Sequence, residues 1–257
     1  MDAEPKEKVS YLPEFMVAAG YILFFCLALT ICSTFYYLSY LQRQPVPINS
    51  FATSLPPTTP TPHIVPADQQ NATVLFKDDF GDDGHGWAGT EDNSKEQVTL
   101  GKLLLESKKE GYYAFTSCAL CPALDTPFYL QADLSTGHVT DKNFGIYFNY
   151  NYTDNGDFLL FQINTEARKY YFYYGNNDGW SLWSSGQSDL IKPFPVTNTL
   201  GIYARKDAVE FYVNGQIIDS YEQSGYPFYL GDFGFYVDNS YFQLVVDNLI
   251  VTKAGNP

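Results

Sequence analysis

The stretch Val209-Glu210-Phe211-Tyr212-Val213-Asn214-Gly215-Gln216-Ile217-Ile218-Asp219-Ser220-Tyr221 decides the fold class. Two runs rich in Val, Ile, Phe and Tyr flank an Asn-Gly pair. Asn and Gly tolerate the positive φ that a two-residue type I′ turn needs at both central positions, and that turn matches the twist of paired strands. The stretch therefore reads as a β-hairpin, with strands over Val209–Val213 and Gln216–Tyr221. Asp154-Asn155-Gly156-Asp157 and Asn176-Asn177-Asp178-Gly179 are further strong turn signals.

Working outward, strands are expected at Val74–Asp79, Lys102–Ser107, Tyr112–Thr116, Phe128–Leu134, Phe144–Tyr150, Phe158–Ile163, Lys169–Tyr174 and Trp180–Trp183. They continue at Thr199–Arg205, Gly231–Tyr236 and Phe242–Val251. No amphipathic helical period interrupts them. Many short strands with regular turns imply an all-β sandwich or barrel. The length of residues 74–252 suits an antiparallel two-sheet jelly roll better than a smaller immunoglobulin-type sandwich. Composition agrees: 22 Tyr and 20 Phe favour half-buried pleated surfaces. The formal net charge of −14 repels phosphate backbones, which argues against a nucleic-acid partner. It is compatible with neutral glycans, cations or basic partners, and equally with an acidic surface kept for solubility.

The N-terminal region is of another kind. From Phe15 to Leu41 there is no charged residue. At 1.5 Å per residue a helix of this length reaches about 40 Å, more than the roughly 30 Å hydrocarbon core of a bilayer. Pro13 and Glu14 suit a helix start. Tyr36, Tyr37 and Tyr40 suit an interfacial belt. A cleaved signal peptide would have a shorter apolar run ending in small residues, so residues 14–41 are expected to be an uncleaved signal-anchor, a single-pass transmembrane helix. Lys6 and Lys8 precede it, which places the tail of residues 1–13 in the cytoplasm and the C-terminal domain outside it. Partnership with the membrane is expected through this helix.

Residues 42–73 form a Pro/Thr-rich linker, with prolines at 45, 47, 56, 57, 60, 62 and 66. Such a chain favours extended polyproline II conformations and lifts the domain away from the bilayer. Asn71-Ala72-Thr73 and Asn151-Tyr152-Thr153 match the N-glycosylation pattern. Cys26 and Cys32 read as apolar fillers of the helix, while Cys118-Ala119-Leu120-Cys121 reads as a short disulfide in an oxidising compartment. Residues 253–257 are a C-terminal tail.

Phe76-Lys77-Asp78-Asp79-Phe80 followed by Gly86-Trp87 resembles the opening strand of concanavalin A-like lectin/glucanase domains. The similar types are the laminin-G-like and 3-keto-disaccharide-hydrolase-like domains of bacterial surface proteins. The resemblance extends through Phe144–Phe148, Phe158–Ile163, Val209–Gln216 and the closing Val246–Val251. It implies a two-sheet sandwich with a concave face that often holds glycan. It also implies a structural calcium ion clamping the first and last strands. Asp78, Asp79 and Asp247, with Asp82 and Asp83 nearby, supply hard oxygen ligands for such an ion; a solvated acidic loop is the alternative.

Catalysis is less legible. Glucanases of this fold carry Glu-x-Asp-x-x-Glu, which points acid and nucleophile into one cleft. No such string occurs, Glu210 stands alone in its strand, and there is no Gly-x-Ser-x-Gly elbow. The residues point instead to an aromatic binding face. Strand alternation puts Tyr147 and Asn149 on one side, with Gln162 on the next strand, Tyr171 and Tyr173 beyond, and Trp180 and Trp183 following. Rings stack on the C–H faces of sugars and amides bond their hydroxyls, so this set suits a glycan partner. Ordinary core packing of the same aromatics, in a structural or protein-interaction module, stays open, as does a glycan hydrolase with an unrecognised site.

Overall fold

The computed structural model describes residues 72–253 apart from 91, 122–126, 151–155, 225, 227, 230 and 239–241. The expected transmembrane helix, most of the linker, Cys26, Cys32 and both glycosylation asparagines lie outside the described residues. The described residues belong to one compact unit, Pro56–Pro257.

The chain forms β1 (Thr73–Asp78), β2 (Gly89–Thr90), β3 (Ser94–Thr99), β4 (Lys102–Ser107), β5 (Ala114–Ser117), β6 (Phe128–Thr136), β7 (Phe144–Tyr150) and β8 (Phe158–Asn164). It continues with β9 (Lys169–Asn176), β10 (Gly179–Gln187), β11 (Asn198–Arg205), β12 (Ala208–Val213), β13 (Gln216–Glu222), β14 (Asp232–Val237) and β15 (Phe242–Lys253). Two antiparallel sheets result. The larger runs β13-β12-β11-β6-β15-β4-β3-β2, with β1 also paired to β15. The smaller runs β10-β9-β8-β7-β14-β5. This is an all-β two-sheet sandwich, as the turn spacing implied. The strands β2 and β3 were not expected: Ser94-Lys95-Glu96-Gln97-Val98-Thr99 is too polar to carry a strand signal, and pairing with β4 supplies what propensity lacks.

The Asn214-Gly215 hairpin forms as read, with φ of 52° and 76°. Asn214 does more than turn the chain. Its carboxamide donates to the Leu190 carbonyl at 2.7 Å and accepts from the Thr199 amide at 2.9 Å, fastening β11 and the preceding loop to the turn.

Alternation along the strands sends one set of side chains inward, and rings close the sandwich across the gap. Phe211 on β12 meets Phe161 and Phe172 on β8 and β9, with centroids 4.7 and 4.4 Å apart. Phe128 on β6 meets Phe148 on β7. Trp87 packs against Phe80, Phe233 and Phe235. Burying each such side chain stabilises the fold by about 1.5–3 kcal/mol.

At the mouth of β1, the buried Asp78 carboxylate binds three donors. Its Oδ1 accepts from the Phe80 amide at 2.7 Å; its Oδ2 accepts from Trp87 Nε1 at 2.7 Å and bonds His85 Nδ1 at 2.8 Å. This network fixes Phe80 in its positive-φ conformation and seats the Trp87 indole in the core.

Candidate functional site

A second aromatic layer covers the outside of the smaller sheet. Registers place Tyr171 opposite Gln162, Gln162 opposite Gly145, Gly145 opposite Tyr236 and Tyr236 opposite Phe115. One step along, Leu182, Tyr173, Leu160, Tyr147 and Gly234 form a parallel row. Outward-facing residues of a sheet are normally wet. Here Leu160 is 0 %, Tyr236 3 % and Tyr147 5 % exposed.

The cover comes from rings that reach across the sheet. Trp180 on β10 lies 5.9 Å from Tyr173, 5.2 Å from Phe158, 5.7 Å from Tyr236 and 6.4 Å from Phe115, centroid to centroid. In a flat sheet β10 would stand about 19 Å from β14 and about 24 Å from β5, at roughly 4.8 Å per strand. Two side chains cannot span the larger gap, so the sheet curls and this face is its concave side. Two glycines keep the floor low: a Cβ at Gly145 would meet the Phe161 carbonyl oxygen at 2.0 Å, and one at Gly234 the Thr116 carbonyl oxygen at 1.7 Å.

Beside the ring layer lies a cavity of about 400 Å³. Tyr113, Phe115, Tyr147, Tyr150 and Phe158 give it apolar walls; Asn93, Ser94, Ser117, Asn176 and Asn177 give it amides and hydroxyls. Among the described residues no Asp, Glu, Lys or Arg lines it. The turn that ends it is built locally: Asn176 Oδ1 accepts from the amides of Asp178 and Gly179. Burial pushes the Tyr236 phenol above its ordinary range, with Asp238 adding to the shift. The Tyr173 phenol is raised by burial and then by Tyr171 and Asp238. Both phenols stay neutral hydrogen-bonding groups at physiological pH.

The residues expected on this face divide. Tyr147, Gln162, Tyr171, Tyr173 and Trp180 are brought together on the concave side. Asn149 is not. It has a φ of 62° at an irregularity where β7 and β14 shift register, which breaks the strict alternation assumed for it. Its buried carboxamide instead donates to Tyr226 Oη at 3.1 Å and accepts from the Tyr229 amide at 2.8 Å. Trp183 is not on the face either. Three residues from Trp180 along a strand, it points the opposite way and stacks between Tyr174 and Tyr221, against the inner core. Sequence reasoning missed Tyr113, Phe115, Tyr150, Phe158 and Tyr236. Phe158 and Tyr147 share the side that alternation assigned, so part of this set was readable.

The three expected calcium carboxylates are not brought together. Both oxygens of Asp78 are taken by the donors described above. Asp247 Oδ2 holds Lys102 Nζ at 2.6 Å and its Oδ1 accepts from the Asn248 amide. Asp79 closes its own turn through the Gly81 amide. Among the described residues no group of three His, Cys, Asp or Glu side chains is placed to hold a metal ion. Cys118 and Cys121 form a disulfide, with Cα atoms 5.3 Å apart.

No family model matches the sequence, and no curated protein matches it. Solved structures do match in fold. A Bacillus subtilis protein of unknown function with a galectin-like fold superposes with a TM-score of 0.56 at 15 % identity, covering 72 % of this chain and 98 % of that one. A carbohydrate-binding module from Bacillus subtilis gives 0.52 at 15 % identity, over 65 % and 98 %. A Bacillus licheniformis β-glucanase gives 0.50 at 12 % identity, over 69 % and 97 %. The fold is that of the concanavalin A-like sandwiches.

Proposed function

We propose that the chain is a membrane-tethered, extracytoplasmic ligand-binding protein whose concave β10-β9-β8-β7-β14-β5 face recognises a neutral glycan. One observation carries this reading: the cavity of about 400 Å³ on that face, walled by rings, edged by amides and hydroxyls, and lined by no charged side chain among the described residues. Sugars present C–H faces and hydroxyls together, and such a lining meets both. Among the described residues the lining holds no Lys or Arg, which disfavours sulfated or carboxylated sugars. A carbohydrate-binding module and a glucanase with the same fold support the reading by analogy of architecture. The tether rests on the uncharged run Phe15–Leu41, and the compartment on that run and the Cys118–Cys121 disulfide.

The floor positions Gly145, Tyr147, Leu160, Gln162, Tyr171 and Tyr173 carry no carboxylate, so the face offers binding rather than the acid–nucleophile pair of glycoside hydrolysis. The structural or protein-interaction reading is favoured by a different observation, the near-complete burial of Leu160 and Tyr147 beneath other rings. A glycan array separates the two. Saturable binding of a neutral glycan by the folded chain, with and without calcium, is expected. Silence across the array from a chain shown to be folded transfers the assignment to protein interaction.

A further inference from the structure

Gln162 is out of place for a group with no role. It lies in the middle of the concave floor, on β8, 3 % exposed, and among the described residues its Oε1 has no hydrogen-bond partner. Its neighbours in register are Tyr171 and Gly145. A buried amide oxygen left unpaired destabilises the fold, and an apolar side chain of similar shape would remove that cost.

What closes the floor is the ring layer centred on Trp180. Ring contacts hold this indole: Tyr113 at 5.5 Å, Phe158 at 5.2 Å, Tyr236 at 5.7 Å and Tyr173 at 5.9 Å. It stands on the edge strand β10, paired on one side only, directly after Gly179. Gly179 has a φ of 140° and open space around its Cα. Leu182, two residues on, is exposed. The indole thus stands on a backbone that is paired on one side only and that begins at a glycine with room to move.

We infer that Gln162 is the hydroxyl-binding anchor of the concave face and that Trp180 is a displaceable cover above it. A sugar ring enters by taking the place of the indole and gives Gln162 Oε1 the hydrogen bond that the closed face denies it. This rests on the glycan reading and adds to it the anchoring residue and the group that must move.

The full chain, purified in a detergent without a sugar headgroup, is compared with Gln162→Leu. The probes are linear neutral oligosaccharides of glucose, galactose, mannose and fructose. The variant is expected to melt about 2–6 °C higher, because an unpaired buried group is gone, and to lose at least about tenfold in affinity for the oligosaccharide that the parent binds. A variant that melts lower shows that Gln162 has an ordinary structural partner and overturns the inference. So does one that binds like the parent. In protein labelled with 5-fluorotryptophan, saturating oligosaccharide is expected to move the ¹⁹F signal that Trp180→Phe removes, leaving those of Trp87 and Trp183 in place. A Trp180 signal that stays put while glycan binds overturns the cover and spares the glycan reading. A parent chain that binds none of the probes overturns both.

Discussion

Replacing Asp78 by Ala removes one small side chain and strands three donors. The Phe80 amide and Trp87 Nε1 are both enclosed with their residues fully or nearly fully buried, at 2.7 Å from the carboxylate, while His85 Nδ1 keeps partial access to water. Each buried donor left without a partner costs about 1–3 kcal/mol. Two such donors give a loss of about 2–6 kcal/mol, and the half-exposed imidazole adds little. The value is large against the roughly 5–15 kcal/mol that holds a domain together. Asp78→Asn keeps an acceptor oxygen for one or two of the donors but offers an NH₂ to the rest, so it falls between Ala and the parent. Urea unfolding followed by tryptophan fluorescence and by circular dichroism measures both. A loss below about 1 kcal/mol for Asp78→Ala would refute the reasoning. The same experiment repeated in chelator tests what the carboxylate is for. Since donors occupy both oxygens, the parent midpoint is expected to be unchanged by chelation; a fall that added calcium reverses would assign Asp78 to a metal instead.

Gly145→Ala places a Cβ 2.0 Å from the Phe161 carbonyl oxygen and 2.6 Å from Gln162 Cα, backbone atoms that cannot step aside, so a loss of folded protein is expected by circular dichroism; Gly111→Ala, with open space around it and only a φ of 84° to strain, is expected to cost about 1 kcal/mol. Reducing Cys118–Cys121 opens a loop with a sequence separation of 3, for which chain entropy gives a loss of about 2 kcal/mol in the urea midpoint analysis. The phenols of Tyr129, Tyr226 and Tyr236 are raised mainly by burial. A raised phenol in the folded state contributes stability that is complete below its unfolded value near pH 10 and is lost as pH rises above it. Phenolate absorbance of these residues is therefore expected to appear together with alkaline unfolding above about pH 10, and free titration of every tyrosine in a still-folded protein would contradict their burial.

The hairpins and most strands were legible because their signals are local. Asn214-Gly215 and Asn176-Asn177-Asp178-Gly179 name their own turns, and Phe144–Phe148 and Phe158–Ile163 are short apolar runs of the kind that form strands buried on both faces. Strand β3 was not legible, since Lys95, Glu96 and Gln97 hold strand geometry through their pairing with β4 and β2, not through their own propensity. The binding face was half legible. Alternation assigned Tyr147, Gln162, Tyr171 and Tyr173, but it fails wherever the ladder slips: Asn149 sits at such a slip and turns into the structure. Trp183 was assigned beside Trp180 by proximity in sequence, although an odd separation in a strand means opposite faces. The curl that brings Trp180 to Phe115 depends on the whole sheet and leaves no trace in any one segment. The acidic residues misled for a physical reason of their own. Asp78 and Asp247 have the chemistry of calcium ligands, yet backbone amides, an indole, an imidazole and the Lys102 ammonium use the same lone pairs.

The most direct test of the central claim is a set of binding isotherms for one neutral oligosaccharide chosen from the array. The full chain is compared with two double variants. Tyr113→Ala/Asn177→Ala alters exposed parts of the concave cavity. Tyr212→Ala/Glu210→Ala alters the outer face of the larger sheet, where Tyr212 Oη donates to Glu210. The concave variant is expected to lose at least about tenfold in affinity and the other to stay within about twofold of the parent. The opposite pattern, or equal binding by all three, would contradict the claim that the concave face is where this protein meets a sugar.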